Sequence, residues 1–232
     1  MEENRYVRHR PLLSDSAWRR LCETSVLLAG VGGLGSHVLE SLSRLGPITL
    51  ELWDPGVLDM PDLNRQILYT EADLGRPKTE AAAEHLAEIN RELAVRPVNR
   101  PLSAELFDAE STLSTGPFVL FDCLDSFAAR GELEKIRKAS KCPVFHGGVD
   151  GWFGQATTFL GTGRGYEDAF GPDFASIPPG PRPILPQTVA VIAGFQVSEF
   201  LHWCENPDTT PLSSAMLIYD GESMRVDRVE LT

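Results

Sequence analysis

The chain has 232 residues, 42% of them hydrophobic and 23% charged, a balance that suits one large or two small globular units and excludes a disordered or fibrous chain. Lys and Arg number 21 against 33 Asp and Glu, and the resulting net charge of −12 speaks against a sequence-independent hold on nucleic acid and against docking on anionic membrane. No apolar run reaches the ~18 residues of a membrane span. The N-terminus MEENRYVRHR lacks the apolar core of a secretory signal, and Cys22, Cys123, Cys142 and Cys204 show no C-x-x-C spacing, so a reduced, cytoplasmic setting is expected.

In chain order, Ser14 to Glu23 reads as a short helix capped by Ser14. Ser25 to Ala29 is a continuous apolar run, as in a strand buried on both faces of a parallel sheet. The turn Gly30-Val31-Gly32-Gly33-Leu34-Gly35 follows, and Leu34, Val38, Leu42 and Leu45 then repeat at helical spacing. Ile48 to Trp53 is a second strand ending at Asp54. Pro77 suits the first position of a helix running to about Asn90, with Ala82, Leu86 and Ile89 as its apolar stripe. Strands are expected at Ala94–Val98, Phe118–Asp122 and Pro143–Phe145, and helices at Ser103–Leu113 and Ser126–Ala139. Gln155–Leu160 alternates like an antiparallel strand. Gly161 to Pro186 carries five glycines and six prolines, which argues against any regular element and for a functional or mobile crossover loop. An apolar helix over Gln187–Trp203 and a hairpin of Met216–Tyr219 with Met224–Val229 close the chain.

Strand–helix alternation over about the first 145 residues implies an α/β fold. The expected fold is a doubly wound, mostly parallel, Rossmann-like sheet with an antiparallel C-terminal extension. Residues 1–232 read as a single domain.

The glycine turn stands in the strand–turn–helix setting of a nucleotide site. Gly30 permits the tight turn, Gly32 and Gly33 let backbone N–H groups approach a phosphate, and Gly35 lets the helix pack closely on the sheet. Asp54 ends the next strand, where a carboxylate can accept from ribose hydroxyls. Two cations come next, in Asp62-Leu63-Asn64-Arg65-Gln66 and Gly75-Arg76-Pro77-Lys78. A dinucleotide oxidoreductase has no need of Arg65 and Lys78 there, whereas a triphosphate needs its extra charge neutralised before a second anion can attack; surface cations exposed to solvent are the alternative. Lys78 opens a helix, where the dipole disfavours a cation unless an anion joins it. Asp125, in Asp122-Cys123-Leu124-Asp125-Ser126, follows another strand and can hold Mg²⁺ with phosphate oxygens or cap the next helix. His146 reads as a structural histidine, Cys123 and Cys142 as core, and Cys204 as a residue that could be exposed.

Together these motifs resemble the adenylyltransferase family that includes ThiF, MoeB and HesA and the adenylation domains of ubiquitin-activating enzymes. The matching run comprises Arg5-Tyr6-Val7-Arg8, the glycine turn, Asp54, Leu63-Asn64-Arg65-Gln66, Gly75-Arg76-Pro77-Lys78, Asp122-Cys123-Leu124-Asp125 and Gly154-Gln155, with Gln196 and Glu199 in the late helix. The resemblance implies adenylation by ATP and Mg²⁺ of the C-terminal carboxylate of a ubiquitin-like sulfur carrier ending in Gly-Gly, by a homodimer. It implies that Gly33 and Asp54 hold the nucleotide with Asp62, Asn64, Gln66 and Ser126 nearby, and that Arg8 and Lys78 neutralise phosphates. Arg65 resembles an arginine reaching in from the other subunit, and Asp125 the Mg²⁺-associated aspartate.

Three departures accompany it. The zinc-binding C-x-x-C pairs of many relatives are absent, so no zinc is expected; Asp62 replaces a usual Asn; and Gly56 replaces a common acidic residue. The crossover, without a cysteine, is expected to be mobile and to be ordered by the carrier. Alternatives are an NAD-dependent oxidoreductase, a carrier-binding protein without turnover, and activation of a carboxylate on modified tRNA.

Overall fold

The computed structural model describes residues 4–113, 116–178 and 183–231. Eight strands form one sheet in the order β3-β2-β1-β4-β5-β6-β7-β8. β1 (Ser25–Ala29), β2 (Thr49–Trp53), β3 (Ala94–Val98), β4 (Phe118–Asp122) and β5 (Val144–Asp150) pair in parallel. β6 (Phe153–Phe159), β7 (Ala215–Asp220) and β8 (Arg225–Glu230) continue it antiparallel, as the alternating pattern after residue 150 predicts. Pro97 sits on β3, an edge strand, where a missing N–H is tolerated.

The unbroken apolar run of β1 is divided between two cores. Val26 and Leu28 face one side with α1 (Asp15–Glu23), α2 (Gly33–Leu45), α3 (Lys78–Ile89) and α7 (Pro186–Glu205). Leu27 and Ala29 face the other with α4 (Ala104–Glu110), α5 (Phe127–Ser140) and α6 (Tyr166–Phe170). Both faces of the strand are thereby removed from water, at roughly 25 cal/mol per Å² of apolar surface. Ser14 caps α1 by accepting from the Ala17 N–H at 3.1 Å.

Four expectations need correction. Gly161–Pro186 is not without regular structure: α6 and a 3₁₀ turn at Phe174–Ser176 lie within it. Tyr166 is wholly buried, and the Gly165 N–H donates to Asp168 Oδ2 at 2.8 Å, so tertiary packing and a local cap overcome a composition poor in helix formers. Positions 179–182 of this crossover lie outside the described residues. Pro77 is the N-cap of α3 rather than its first residue, which puts Lys78 in the first turn. Ser126, not Asp125, caps α5 through the Ala129 N–H at 3.3 Å. Cys204 is not exposed but fully buried inside α7, and burial pushes its thiol up to about 12.

Among the described residues, no helix is long and apolar enough to cross a membrane.

Candidate active site

The strand order reverses direction between β1 and β4, and the loops leaving the carboxyl ends of these two strands part there. Gly30 turns off β1 at φ +89°, and a Cβ on it would meet the Cys123 carbonyl oxygen at 2.6 Å. The glycine turn and the loop after β4 therefore pack backbone to backbone. Gly32 is the N-cap of α2 and offers no side chain to the helix amides, which leaves that helix terminus open to an anion. A cleft of about 640 Å³ opens here, lined by Gly30, Gly32, Gly33, Asp54, Asp62, Arg65, Gln66, Lys78, Asp125 and Ser126. Trp53, Leu102, Leu124, Val149 and Val189 supply an apolar wall.

Asp54 braces the turn. Its Oδ2 accepts from the Val31 N–H at 2.7 Å and its Oδ1 from the Gly56 N–H at 2.6 Å. A Cβ on Gly56 would stand 2.8 Å from Asp54 Oδ1 and 3.3 Å from the Lys78 stem, so glycine at this position leaves both groups free to keep their places. Lys78 Nζ lies 3.0 Å from Asp62 Oδ2, so the anion that its helix position calls for is supplied within the chain. Arg65 lies along the turn, its Cγ 3.4 Å from where a Gly33 Cβ would be, and its guanidinium donates to Asn64 Oδ1 and the Pro61 carbonyl. Gln66 is buried, with Nε2 donating to Asp62 Oδ1 at 2.7 Å and Oε1 left without a hydrogen-bond donor among the described residues. Asp125 is exposed to the cleft, and its carboxylate makes no hydrogen bond or ion pair among the described residues.

Four expected site residues stand elsewhere than the sequence reading placed them. Arg65, expected to reach in from another subunit, lines the cleft of its own chain. Asn64 is not in the cleft lining; it is exposed and holds Arg65, with Nδ2 3.5 Å from the Ile184 carbonyl. Gly35 is buried below the turn, where a Cβ would meet Gly30 O at 2.0 Å, so it serves packing rather than ligand contact. Arg8 lies at the opposite edge of the sheet. Its neighbours Arg5, Tyr6 and His9 bond to Ile89 O, Asn90 Nδ2 and Leu45 O, which lead into the amino ends of β3 and β2.

Sequence reasoning missed two supports. Tyr69 is buried and its hydroxyl reaches Val31 O at 2.8 Å and Lys78 O at 3.2 Å, tying the glycine turn to the start of α3. Below the β4 loop, Asp122 Oδ2 accepts from His146 Nδ1 at 2.6 Å, Arg130 Nε at 2.9 Å and the Tyr166 hydroxyl at 2.6 Å, while Oδ1 accepts from the Leu124 N–H. Burial alone would raise this carboxyl's pKa; the Arg130 guanidinium and the His146 and Tyr166 hydrogen bonds outweigh it and hold the group well below the usual carboxylate range. Burial lowers His146, which fits the structural role expected of it. Arg130 also donates to Leu124 O at 2.5 Å and Gly147 O at 3.2 Å, so it fixes the loop that presents Asp125. Only the DxxD spacing and an arginine in the first turn of the next helix hinted at this, because its other members come from β5 and α6.

The residues fit a nucleotide and a hard cation. The glycines leave backbone room, the open helix terminus and two cations suit phosphate, and Asp125 is an oxygen donor with free capacity. Among the described residues no cluster of three or more His, Cys, Asp or Glu side chains could hold a metal. A magnesium ion at Asp125 would therefore share its coordination with phosphate oxygens and water.

The ThiF family profile matches residues 5–232. The chain belongs to the ThiF family. It is 27% identical over 234 residues to the SAMP-activating enzyme E1 of Haloferax volcanii, covering 97% of this chain and 84% of that protein. It is 36% identical over 140 residues to the molybdopterin-synthase adenylyltransferase of Escherichia coli K12, covering 60% of this chain and 55% of that one. Across its whole length the ThiF-family fold superimposes on a crystal structure of E. coli MccB with ATP, at a TM-score of 0.82 and 18% identity, covering 99% of this chain and 72% of that one.

Proposed function

We propose that the chain, as a single unit, adenylates the C-terminal glycine carboxylate of a small ubiquitin-like sulfur-carrier protein with ATP. The observation that carries the reading is the convergence of Lys78, Arg65 and Asp125 on the open N-terminus of α2 beside the glycine turn. Curated relatives named as adenylyltransferases, one for molybdopterin synthase and one for the sulfur carrier ThiS, support it.

In the reaction a carboxylate oxygen attacks the α-phosphorus and the bond to the bridging oxygen of pyrophosphate breaks. Both reactants are anions, so the work of the protein is to place them and offset their charge. Lys78 and Arg65 supply cations, the α2 amides offer N–H donors, and Asp54 keeps the turn shaped while retaining lone pairs for a ribose hydroxyl. Asp125 would hold a magnesium ion, whose chemistry is to neutralise the leaving pyrophosphate. Burial raises all four thiols: Cys142 and Cys204 reach about 12, and Cys22 and Cys123 are raised as well. A raised thiol is a poorer nucleophile, so the proposal assigns these cysteines no covalent step.

A homodimer belongs to the same proposal. Arg8 lies at the far edge of its own sheet, so a phosphate role for it requires a second copy. The crossover's exit borders the cleft at Ile184, which suits a path for the carrier's extended tail. Calorimetric titration with magnesium ATP and with NAD, followed by carrier-dependent ATP–pyrophosphate exchange, tests the reading. Tighter binding of NAD, or exchange indifferent to a carrier ending in Gly-Gly, would overturn it.

A further inference from the structure

The phosphate end of the cleft contains an anion of its own. Asp62 Oδ2 lies 3.0 Å from Lys78 Nζ, and Arg65 Nη2 stands 3.6 Å from Oδ1. The side chains of Lys78, Asp62 and Arg65 are 14%, 15% and 23% exposed, so water screens them only in part. Two cations face one carboxylate, and half of the cationic charge available to a phosphate is already answered.

Asp62 is also fixed where it stands. Gln66 Nε2 donates to Oδ1 at 2.7 Å, and the Asp59 N–H approaches Oδ2 at 3.3 Å. These two donors belong to a buried amide and to the backbone of the same turn, and neither is released when a phosphate takes Lys78. The carboxylate therefore stays beside whatever anion binds. An incoming triphosphate then meets a like charge in a half-screened site, which disfavours it. A divalent ion on the phosphates removes two negative charges and most of that penalty.

We propose that Asp62 is a built-in counter-ion that makes the cleft select a metal-complexed nucleoside triphosphate over the free one, an inference that rests on the nucleotide reading above. A carboxylate that merely staples the turn would behave differently: its loss would loosen the fold and weaken binding of both forms alike.

Calorimetry of ATP with a chelator, and of ATP with excess magnesium, tests this on the whole protein and on Asp62→Asn, which keeps an acceptor for Gln66. The variant should bind free ATP about tenfold more tightly and magnesium ATP no more than about threefold more tightly, narrowing the preference. Asp62→Ser, which removes the charge and shortens the side chain that accepts from Gln66, should narrow it in the same direction and stands in if the Asn variant fails to fold. Unchanged or weaker binding of free ATP in the folded variant, or an equal gain for both forms, would overturn the inference while leaving nucleotide binding intact. A wild-type chain that binds neither form would overturn both.

Discussion

Lys78 is held by one neighbouring carboxylate in the first turn of α3, a place where a helix disfavours a cation. Asp62 answers that cation within the chain, and a phosphate would add a second anion beside it. Lys78→Ala should cut carrier-dependent ATP–pyrophosphate exchange roughly a hundredfold, as loss of a preorganised electrostatic group does, and should move the melting temperature little. Exchange at the wild-type rate would remove Lys78 from the phosphates. His146 works in the opposite way, through the fold. It is fully buried and faces Asp122 from β4, Arg130 from α5, Tyr166 from α6 and Gln155 from β6. Burial lowers its proton affinity in the native state, while an unfolded imidazole titrates near about 6.5. Below that pH the unfolded chain binds more protons, so stability falls as the medium is acidified. The contribution of Asp122, whose native pKa is depressed, persists above the ordinary carboxylate value of about 3.9 and fades only as pH drops further. Urea unfolding between pH 7 and 5 should therefore show a decline that His146→Gln flattens; an equal slope in both proteins would rule out this histidine as its source.

At the scale of elements, α6 joins the crossover to the floor of the site. The Tyr166 hydroxyl reaches across to Asp122, and a Cβ on Gly165 would meet Glu134 Oε1 at 2.3 Å, so the segment lies close against the Glu134–Arg137 ion pair of α5. Tyr166→Phe deletes one donor from a buried carboxylate and should cost about 1.5–3 kcal/mol in chemical denaturation. A cost near zero would show that Arg130 and His146 suffice. Strands β1 and β4 were legible as apolar runs because burial on both faces leaves no polar alternation to confuse, and Gly30 and Asp125 because each follows such a run; β2 carries Thr49 and Glu51 among its apolar residues, and Asp54 was legible from its place after that strand and the glycine turn. The helix at Tyr166 was not legible: glycines and prolines surround it, and the contacts that form it come from β4 and α5. Asp122, Arg130 and Tyr69 escaped for the same reason, since their roles appear only when distant segments meet. Asp62 was visible as a departure from the family, but its hold on Lys78 was not.

For the whole molecule, the placement of Arg8 and Arg65 makes the proposed homodimer testable by mixing variants. Arg65 and Lys78 line one cleft of one chain, whereas Arg8 is absent from that lining and in the proposed homodimer would serve the partner's cleft. Mixtures of Arg8→Ala with Lys78→Ala should recover up to about a quarter of wild-type exchange, because half the dimers are hybrids with one complete site. Mixtures of Arg65→Ala with Lys78→Ala should recover nothing. Recovery in the second mixture, or none in the first after verified subunit exchange, would contradict this arrangement. The pairing of β1 with β4 has a further consequence in time. Ser25 lies opposite Phe118, across about two-fifths of the chain, and the cleft straddles that seam. A ribosome releasing the chain from its N-terminus exposes the glycine turn long before β4 exists to close against it. Loop-closure entropy makes such distant parallel pairing slow, so the nucleotide site should be among the last features to mature as the newborn chain folds.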